Sequence, residues 1–265
     1  KRQGGRGQGA GGKFLRYSQL PTPNSSFPTP YSPFPTPYQI KGINVLPSFQ
    51  AAIFDMDGLL FDTESIARWA WKQALSNYGY IMNDDLYLKI VGRDLSWREK
   101  LLKKKYGDSL PFNSVTAKRI EIGDAREIQE GLPLKPGVLD LLKQLSSLNV
   151  TIGLATGTDR VRAIRRLTNA DIHQYFTTIV TSEDVAEGKP APDIFLEVSR
   201  RMNIPPMECV VFEDSCVGVK AAFQAGMCPI MIPDIEQPSW EITNLAYRVF
   251  NSLEQVSELL AEIKN

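Results

Sequence analysis

One short acidic stretch constrains the fold of this chain more than any other feature: residues 51–63 read AAIFDMDGLLFDT. The first four of these residues are apolar or small, which predicts a short strand buried on both faces, as in the middle of a parallel sheet. Asp55 and Asp57 follow this strand, and Gly58 allows the chain to turn away at once. Open parallel sheets bind their ligands at the carboxyl ends of their strands, so we expect an α/β fold with a site here.

The negative charges of two carboxylates in this position have to be neutralised by a cation or a proton. Asp55 and Asp57 lie close together beside a hydrophobic strand, so their charges repel each other and lose solvation. A divalent cation would relieve the repulsion. One carboxylate could then attack phosphorus while the other served as acid and base. The alternative is that the motif forms only a polar turn, and its spacing alone does not decide between the two interpretations.

Length and composition predict a globular protein with a sizeable core. The chain has 265 residues and 43% hydrophobic content. Lys plus Arg and Asp plus Glu each total 30, so net charge gives no general attraction to nucleic acid or to an anionic membrane. Three cysteines without a CxxC pair favour neither a disulfide framework nor a zinc site. We expect a cytoplasmic monomer with no nucleic-acid or membrane partner.

The first 46 residues form a low-complexity, proline-rich tail that includes the near repeat FPTPYSPFPTPY. Frequent proline removes backbone donors, so we expect a disordered or loosely polyproline-like segment. Three interpretations remain open. The tail is a non-native leader, since the first residue is not Met, or a ligand for a proline-binding domain, or an organelle transit peptide, since it contains Arg and Ser but no acidic residue.

A helical block follows the acidic strand. Apolar residues at helical spacing begin at Thr63, and Trp69 and Trp71 are expected to pack inside this block. Further helices are predicted over 84–91, 95–106 and 114–129. A block of helices inserted into an α/β pattern predicts a helical cap domain over 63–130, with a core domain formed by 47–62 and 131–265.

From residue 132 onward, strands and helices alternate, which predicts a doubly wound, Rossmann-like parallel sheet. Strands are predicted over 150–155, 177–180, 209–212 and 228–232, and helices over 136–148, 159–167, 192–202, 217–225 and 253–263. Polar clusters stand at the ends of these strands or in the loops between them: Asp55/Asp57, Thr156/Thr158, Lys189 and Glu213/Asp214. In such a sheet these ends converge on one edge.

The clusters together supply what phosphoryl transfer requires, namely a nucleophile, a metal site and donors around the phosphate oxygens. Each also has a structural interpretation. Thr156 could cap a helix, Lys189 could be a solvated loop lysine, and Asp214 with Ser215 could form another helix cap. Their alignment at successive strand ends favours the functional interpretation.

Four motifs, FDMDGLLFDTE, LATGT, GKPAPDIF and VFEDSCVGVKAAFQAGM, carry a family resemblance. Over about residues 50 to 260, the chain resembles the haloacid dehalogenase superfamily of aspartate-nucleophile phosphatases, in the branch with a helical cap. The motifs are most similar to those of pseudouridine-5′-phosphatase-like, sugar-phosphate phosphatase and β-phosphoglucomutase-like members.

The resemblance implies a catalytic role for each matching residue. Asp55 would be the nucleophile and Asp57 the general acid and base. Thr156, with the Gly157 amide, would bind the transferred phosphoryl group, and Lys189 would neutralise charge between that group and Asp55.

The resemblance also implies a magnesium site. The Asp55 carboxylate, the Asp57 backbone carbonyl and Asp214 would hold Mg²⁺, with Glu213 in or just behind this set of ligands. Mg²⁺ prefers oxygen ligands, which agrees with a site that has no His or Cys.

Three further residues receive individual interpretations. Thr158 is a second candidate for substrate binding, at the end of the LATGT motif. Arg93 follows a flexible glycine, and its guanidinium is a candidate contact for an anionic leaving group, although a surface role stays open. His173, the only histidine, is interpreted as structural.

These observations favour a Mg²⁺-dependent phosphatase that hydrolyses a small sugar phosphate or nucleotide-like monoester through an aspartyl-phosphate. The alternative is a β-phosphoglucomutase-like mutase. The mutase pattern has a histidine four residues after the first-motif threonine, whereas Thr63 here is followed at that spacing by Ala67, which favours hydrolysis. A non-catalytic interaction protein is a third hypothesis, but it would not require the intact charged residues.

Overall fold

The computed structural model describes residues 46–91 and 95–264. In this part of the chain, a parallel sheet of six strands has the order β3-β2-β1-β4-β5-β6. Its strands are β1 Ala51–Phe54, β2 Thr151–Thr156, β3 Thr178–Thr181, β4 Cys209–Glu213, β5 Cys228–Met231 and β6 Arg248–Val249. The predicted doubly wound fold is therefore confirmed.

Strand β1 lies at the centre of the sheet, between β2 and β4. Its four residues are all 0% exposed, because alternate side chains enter cores on opposite faces of the sheet. Ala52 and Phe54 belong to one core, whereas Ala51 and Ile53 belong to the other. The prediction of a strand buried on both faces is confirmed.

Helices cover both faces of this sheet. Three helices pack on the Phe54 face: α5 Val138–Ser147, α6 Arg160–Asn169 and α10 Leu253–Lys264. Two helices pack on the opposite face: α7 Asp193–Met202 and α8 Cys216–Gln224. Leu46, at the end of the expected tail, is 1% exposed and packs in the first of these cores. The rest of the expected tail lies outside the described residues.

The described residues between β1 and β2 are mainly helical, as predicted. The helices here are α1 Thr63–Asn77, α2 Asp84–Ile90, α3 Leu95–Tyr106 and α4 Phe112–Glu130. They share a hydrophobic cluster of their own, in which the Trp71 ring stacks on Phe112 at 6.4 Å between ring centroids. Trp71 is 2% exposed, so its predicted packing role is confirmed.

Two short elements near the C-terminus were not predicted. Helix α9 Trp240–Leu245 has six residues, and β6 has two. Neither is long enough to show a periodic hydrophobic pattern. Helix α4 begins at Phe112, two residues before its predicted start. Among the described residues, no helix is sufficiently long and apolar to cross a membrane.

The loop before α5 depends on a glycine at residue 137. Gly137 has a φ of 83°, and a Cβ there would lie 2.3 Å from the backbone nitrogen of Glu254. Gly79 also has a positive φ, of 81°, but a Cβ there would meet nothing within 4 Å. Substitution at Gly79, the control position, therefore measures the cost of backbone strain alone, whereas substitution at Gly137 adds the cost of a steric collision.

We predict that Gly137→Ala lowers the free energy of unfolding by about 3 kcal/mol or more, because strain and collision add. The control Gly79→Ala should cost only about 1–2 kcal/mol, from strain alone. Urea unfolding followed by tryptophan fluorescence measures both values. Equal losses in the two variants would contradict the close packing of residue 137 against α10.

Candidate active site

Three of the predicted site residues lie at the carboxyl ends of three adjacent strands. Asp55 follows β1, Thr156 ends β2 and Glu213 ends β4. The strand order reverses at β1 and β4, because the chain adds β2 and β3 on one side of β1 and β4 to β6 on the other. Such a reversal opens a crevice at the carboxyl edge of a parallel sheet, where ligands bind.

Lys189 connects two of these strand ends. Its Nζ donates to Asp55 Oδ1, to Glu213 Oε1 at 2.6 Å and to the Ala155 carbonyl at 3.2 Å. Its side chain is 12% exposed, so the interpretation as a solvated loop lysine is wrong. Burial lowers the pKa of Lys189, but the charges of Asp55 and Glu213 outweigh this effect and hold its pKa above the ordinary value. The ammonium therefore stays charged.

The carboxylates beside Lys189 carry more negative charge than one ammonium can balance. Burial raises the pKa of Asp55 to about 7, with further increases from Glu213 and Asp57, although Lys189 opposes the shift. Burial also raises the pKa of Asp214, together with the charges of Glu213 and Asp55. A cation bound here would remove the cost of this crowding.

Three carboxylates meet the requirements of a metal site. Asp55, Glu213 and Asp214 each offer an oxygen, and these atoms lie within 4.8 Å of one another. Both oxygens of Glu213 already accept hydrogen bonds, because Oε2 accepts from the amide and the hydroxyl of Ser215, each at 2.8 Å. Glu213 therefore fits better behind the direct ligands than among them. This oxygen set fits Mg²⁺.

The cap of α8 comes from Ser215, whose Oγ accepts a hydrogen bond from the Gly218 amide at 3.1 Å. Asp214 is therefore not the helix cap. Gly218 itself must lack a side chain, since a Cβ there would lie 1.8 Å from Glu213 Oε1. The start of α8 thus leaves room for the buried Glu213 carboxylate.

The loop after β2 faces Asp57. Thr158 Oγ1 donates to Asp57 Oδ2 at 2.7 Å, and Thr156 Oγ1 lies 3.5 Å from the same oxygen. Asp159 caps α6 by accepting from the Arg162 amide, so the interpretation of Thr156 as the helix cap is wrong. Gly157 is exposed, and a Cβ there would meet nothing within 4 Å, which leaves open space beside its amide.

A residue that the sequence analysis did not identify also contacts Asp57. Arg166, in the last turn of α6, donates from Nη1 to Asp57 Oδ1 at 2.5 Å. The helix contains several arginines, and no motif distinguishes this one from its neighbours. The predicted contact residue Arg93 lies outside the described residues.

A cavity of about 350 Å³ lies beside Asp214, between the sheet edge and the helices that follow β1. Its lining is largely acidic and apolar: Glu64, Leu88, Val91, Asp214, Ser215, Asp234, Ile235 and Glu236. Its size suits a small polar molecule.

Comparison with known proteins identifies the family. The family model for haloacid dehalogenase-like hydrolases matches residues 49–226. The chain belongs to the haloacid dehalogenase-like hydrolases. The resemblance inferred from the four sequence motifs is thus confirmed.

Several relatives of this haloacid dehalogenase-like hydrolase are named phosphatases. The phosphorylated carbohydrates phosphatase of Thermotoga maritima is 37% identical over 182 residues, which are 67% of this chain and 82% of the relative. The probable pseudouridine-5′-phosphatase of Drosophila melanogaster is 33% identical over 216 residues, or 79% and 92% of the two chains. The chain is accordingly a phosphoric monoester hydrolase.

Two solved structures have a similar fold. A putative β-phosphoglucomutase from Thermotoga maritima is similar with a TM-score of 0.70 and 30% sequence identity, over 80% of this chain and 99% of the other. The CbbY protein from Rhodobacter sphaeroides in complex with phosphate is similar with a TM-score of 0.61 and 26% identity, over 77% and 95% of the two chains.

Glu64, in the first turn of α1, is a partly buried acidic residue that lines the cavity. Its Oε1 is buried and has no hydrogen-bond partner among the described residues. Burial raises the pKa of Glu64 to about 7, and Asp234 raises it further, although Arg98 and Arg119 oppose the shift. Because the folded state holds a proton more tightly than the unfolded state, stability falls as pH rises from about 4.5 to 7.

We predict that Glu64→Gln, measured in EDTA, increases the free energy of unfolding at pH 8 by about 1–3 kcal/mol relative to the wild type, with a smaller difference at pH 5. Urea unfolding at the two pH values measures the effect. Glu121→Gln, at an exposed residue of α4, is the control and should show no such difference between the pH values. An equal effect of Glu64→Gln at pH 5 and pH 8 would contradict the prediction.

Proposed function

We propose that this hydrolase is a Mg²⁺-dependent phosphatase that hydrolyses phosphate monoesters of small metabolites through an aspartyl-phosphate on Asp55. One observation carries the proposal: Lys189 joins Asp55 to Glu213 at the sheet edge, in the same cluster that brings Asp214 near Asp55. The cluster combines a nucleophile, a fixed positive charge and an oxygen site for a cation.

In the first step, a carboxylate oxygen of Asp55 attacks phosphorus, and the bond from phosphorus to the leaving oxygen breaks. Asp57 donates its proton to that oxygen, so the leaving group departs as an alcohol. Lys189 neutralises charge on the phosphoryl group, and the Thr156 hydroxyl and the Gly157 amide donate to its oxygens. These roles follow the family resemblance and the contacts of each residue at the sheet edge.

In the second step, water attacks the phosphorus of the aspartyl-phosphate. Asp57 takes a proton from this water, and the bond between phosphorus and the Asp55 oxygen breaks. Phosphate leaves, and Asp55 returns to its starting state. Mg²⁺, held by Asp55, Asp214 and the Asp57 carbonyl with Glu213 behind them, would supply positive charge beside the phosphoryl oxygens.

We propose a sugar phosphate or nucleotide-like monoester as substrate. The relatives named for carbohydrate phosphates and for pseudouridine phosphate support this class. The acidic cavity beside Asp214 supports it as well, because carboxylates accept hydrogen bonds from sugar hydroxyls.

We further propose the cap and core division at 63–130, in which the cap excludes water and selects the leaving group. Thr158 and Arg93 remain candidate substrate contacts. A monomeric state and a cytoplasmic location remain predictions.

We predict that Mg²⁺ is required for release of p-nitrophenol from p-nitrophenyl phosphate and that EDTA abolishes the release. Asp55→Asn should lower kcat by about 10³-fold or more, because the amide is not a nucleophile. Asp140→Asn, on the exposed side of α5, is the control and should keep the wild-type rate. Activity that persists both in EDTA and in Asp55→Asn would contradict the proposed function.

A phosphomutase is the second candidate, supported by the similar fold of the putative β-phosphoglucomutase. Ala67 stands where the mutase pattern has histidine, which favours transfer to water. With β-glucose 1-phosphate, we predict free phosphate and glucose without glucose 6-phosphate, and ³¹P NMR separates these products. Accumulation of glucose 6-phosphate instead would favour the mutase.

A further inference from the structure

Arg166 of α6 is shared between two carboxylates that belong to different parts of the fold. Its Nη1 donates to Asp57 Oδ1 at 2.5 Å, next to the proposed nucleophile. Its Nη2 and Nε donate to the two oxygens of Glu127 in α4, at 2.7 Å and 3.1 Å. The Arg166 side chain is 8% exposed and that of Glu127 is 6% exposed, so neither group can exchange its partner for bulk water without a rearrangement.

The Asp57 carboxylate is held from two sides. Oδ1 accepts from Arg166, whereas Oδ2 accepts from Thr158 at 2.7 Å. A carboxyl that must deliver and collect a proton has to point at the reacting oxygen, and errors of about 1 Å in such alignment can cost about 10²-fold in rate. Arg166 therefore contributes directly to the orientation of Asp57.

Glu127 determines how much of the guanidinium is available to Asp57. The Nε and Nη2 groups are engaged by Glu127, which leaves Asp57 a contact with Nη1 rather than a bidentate pair. Burial raises the pKa of Glu127, but hydrogen bonds from Arg166 and Arg165 outweigh it and hold its pKa below the ordinary value. Glu127 thus remains a carboxylate and continues to accept both hydrogen bonds from Arg166.

We propose that Arg166 is a positioning residue that couples the position of helix α4 to the orientation of the Asp57 carboxyl. The inference rests on the proposed function, in which Asp57 is the acid and base. When α4 lies against α6, Glu127 takes one edge of the guanidinium and Asp57 receives a single, directed N–H group. When α4 moves away, Arg166 is released to pair with Asp57 through both of its terminal nitrogens, which turns the carboxyl and strengthens its ion pair.

A neighbouring arginine supplies a matched control. Arg165 donates from Nη2 to Glu127 Oε1 at 2.7 Å, so it joins α6 to the same carboxylate of α4. The contacts described for Arg165 do not include Asp57. If Arg166 acted only by holding α4 against α6, loss of Arg165 would have a comparable effect.

The test compares kcat, KM and melting temperature for Arg166→Gln, Arg166→Lys, Glu127→Gln and Arg165→Gln. The substrate is β-glucose 1-phosphate with saturating Mg²⁺, because its alcohol leaving group needs the proton that Asp57 supplies. We expect Arg166→Gln to lower kcat by about 10- to 100-fold with KM changed less than about 3-fold, because orientation rather than binding is lost. Arg165→Gln should keep kcat within about 2-fold of the wild type. Arg166→Lys should fall between Arg166→Gln and the wild type, since it keeps one charge without the planar fork.

Glu127→Gln tests the coupling itself. It should lower kcat in the same direction, and the Arg166→Gln/Glu127→Gln double variant should be no slower than Arg166→Gln, because the two residues act through one contact with Asp57. Independent, multiplying losses in the double variant would overturn the coupling. Equal kcat values for Arg166→Gln and Arg165→Gln would overturn the positioning role.

The outcomes also separate this inference from the function on which it rests. A wild-type enzyme that releases no p-nitrophenol would overturn the proposed function and the inference together. An active wild type with unaffected Arg166 variants would overturn the inference alone. If Arg166→Gln does not fold, as the melting temperature would reveal, Arg166→Lys decides: a reduced kcat with unchanged KM supports the positioning role, and the wild-type kcat overturns it.

Discussion

The buried ion cluster around Lys189 is the interaction on which the rest of the site depends. An ammonium group that is 12% exposed lies between Asp55 and Glu213 and offsets part of the cost of burying their charges. Glu213 is fixed in turn by Ser215 at the start of α8. The negative charge that remains on Asp55 and Asp214 is the physical reason for expecting a cation.

The sheet brings this cluster together from segments that are distant in sequence. Strands β1 and β4 lie side by side in register, although Phe54 and Phe212 are separated by more than half of the chain. Asp55 follows β1 and Glu213 ends β4, so both carboxylates lie at the same edge of the sheet. Helices α1 to α4 are inserted in the sequence between β1 and β2, at the edge of the sheet that carries the site. The insertion therefore leaves the strand pairing of the sheet unchanged.

Residues with a strong local pattern could be predicted from the sequence. Strand β1 was identifiable by its apolar run, and Asp55, Thr156, Lys189 and Asp214 by their places in motifs at strand ends. Arg166 could not be predicted, because its role depends on Glu127, a partner 39 residues away on another helix. Helix α9 was missed for a different reason, since six residues carry too little periodicity to be recognised.

The central claim is that Asp55 accepts the phosphoryl group while Lys189 and a cation held by Asp214 neutralise its charge. A crystal structure of the protein with Mg²⁺ and beryllium fluoride, a stable mimic of an aspartyl-phosphate, tests it most directly. We expect the fluoride adduct on an Asp55 oxygen, Lys189 in contact with it and the metal bound by Asp55 and Asp214. An adduct on another residue, or a metal bound away from Asp214, would contradict the account.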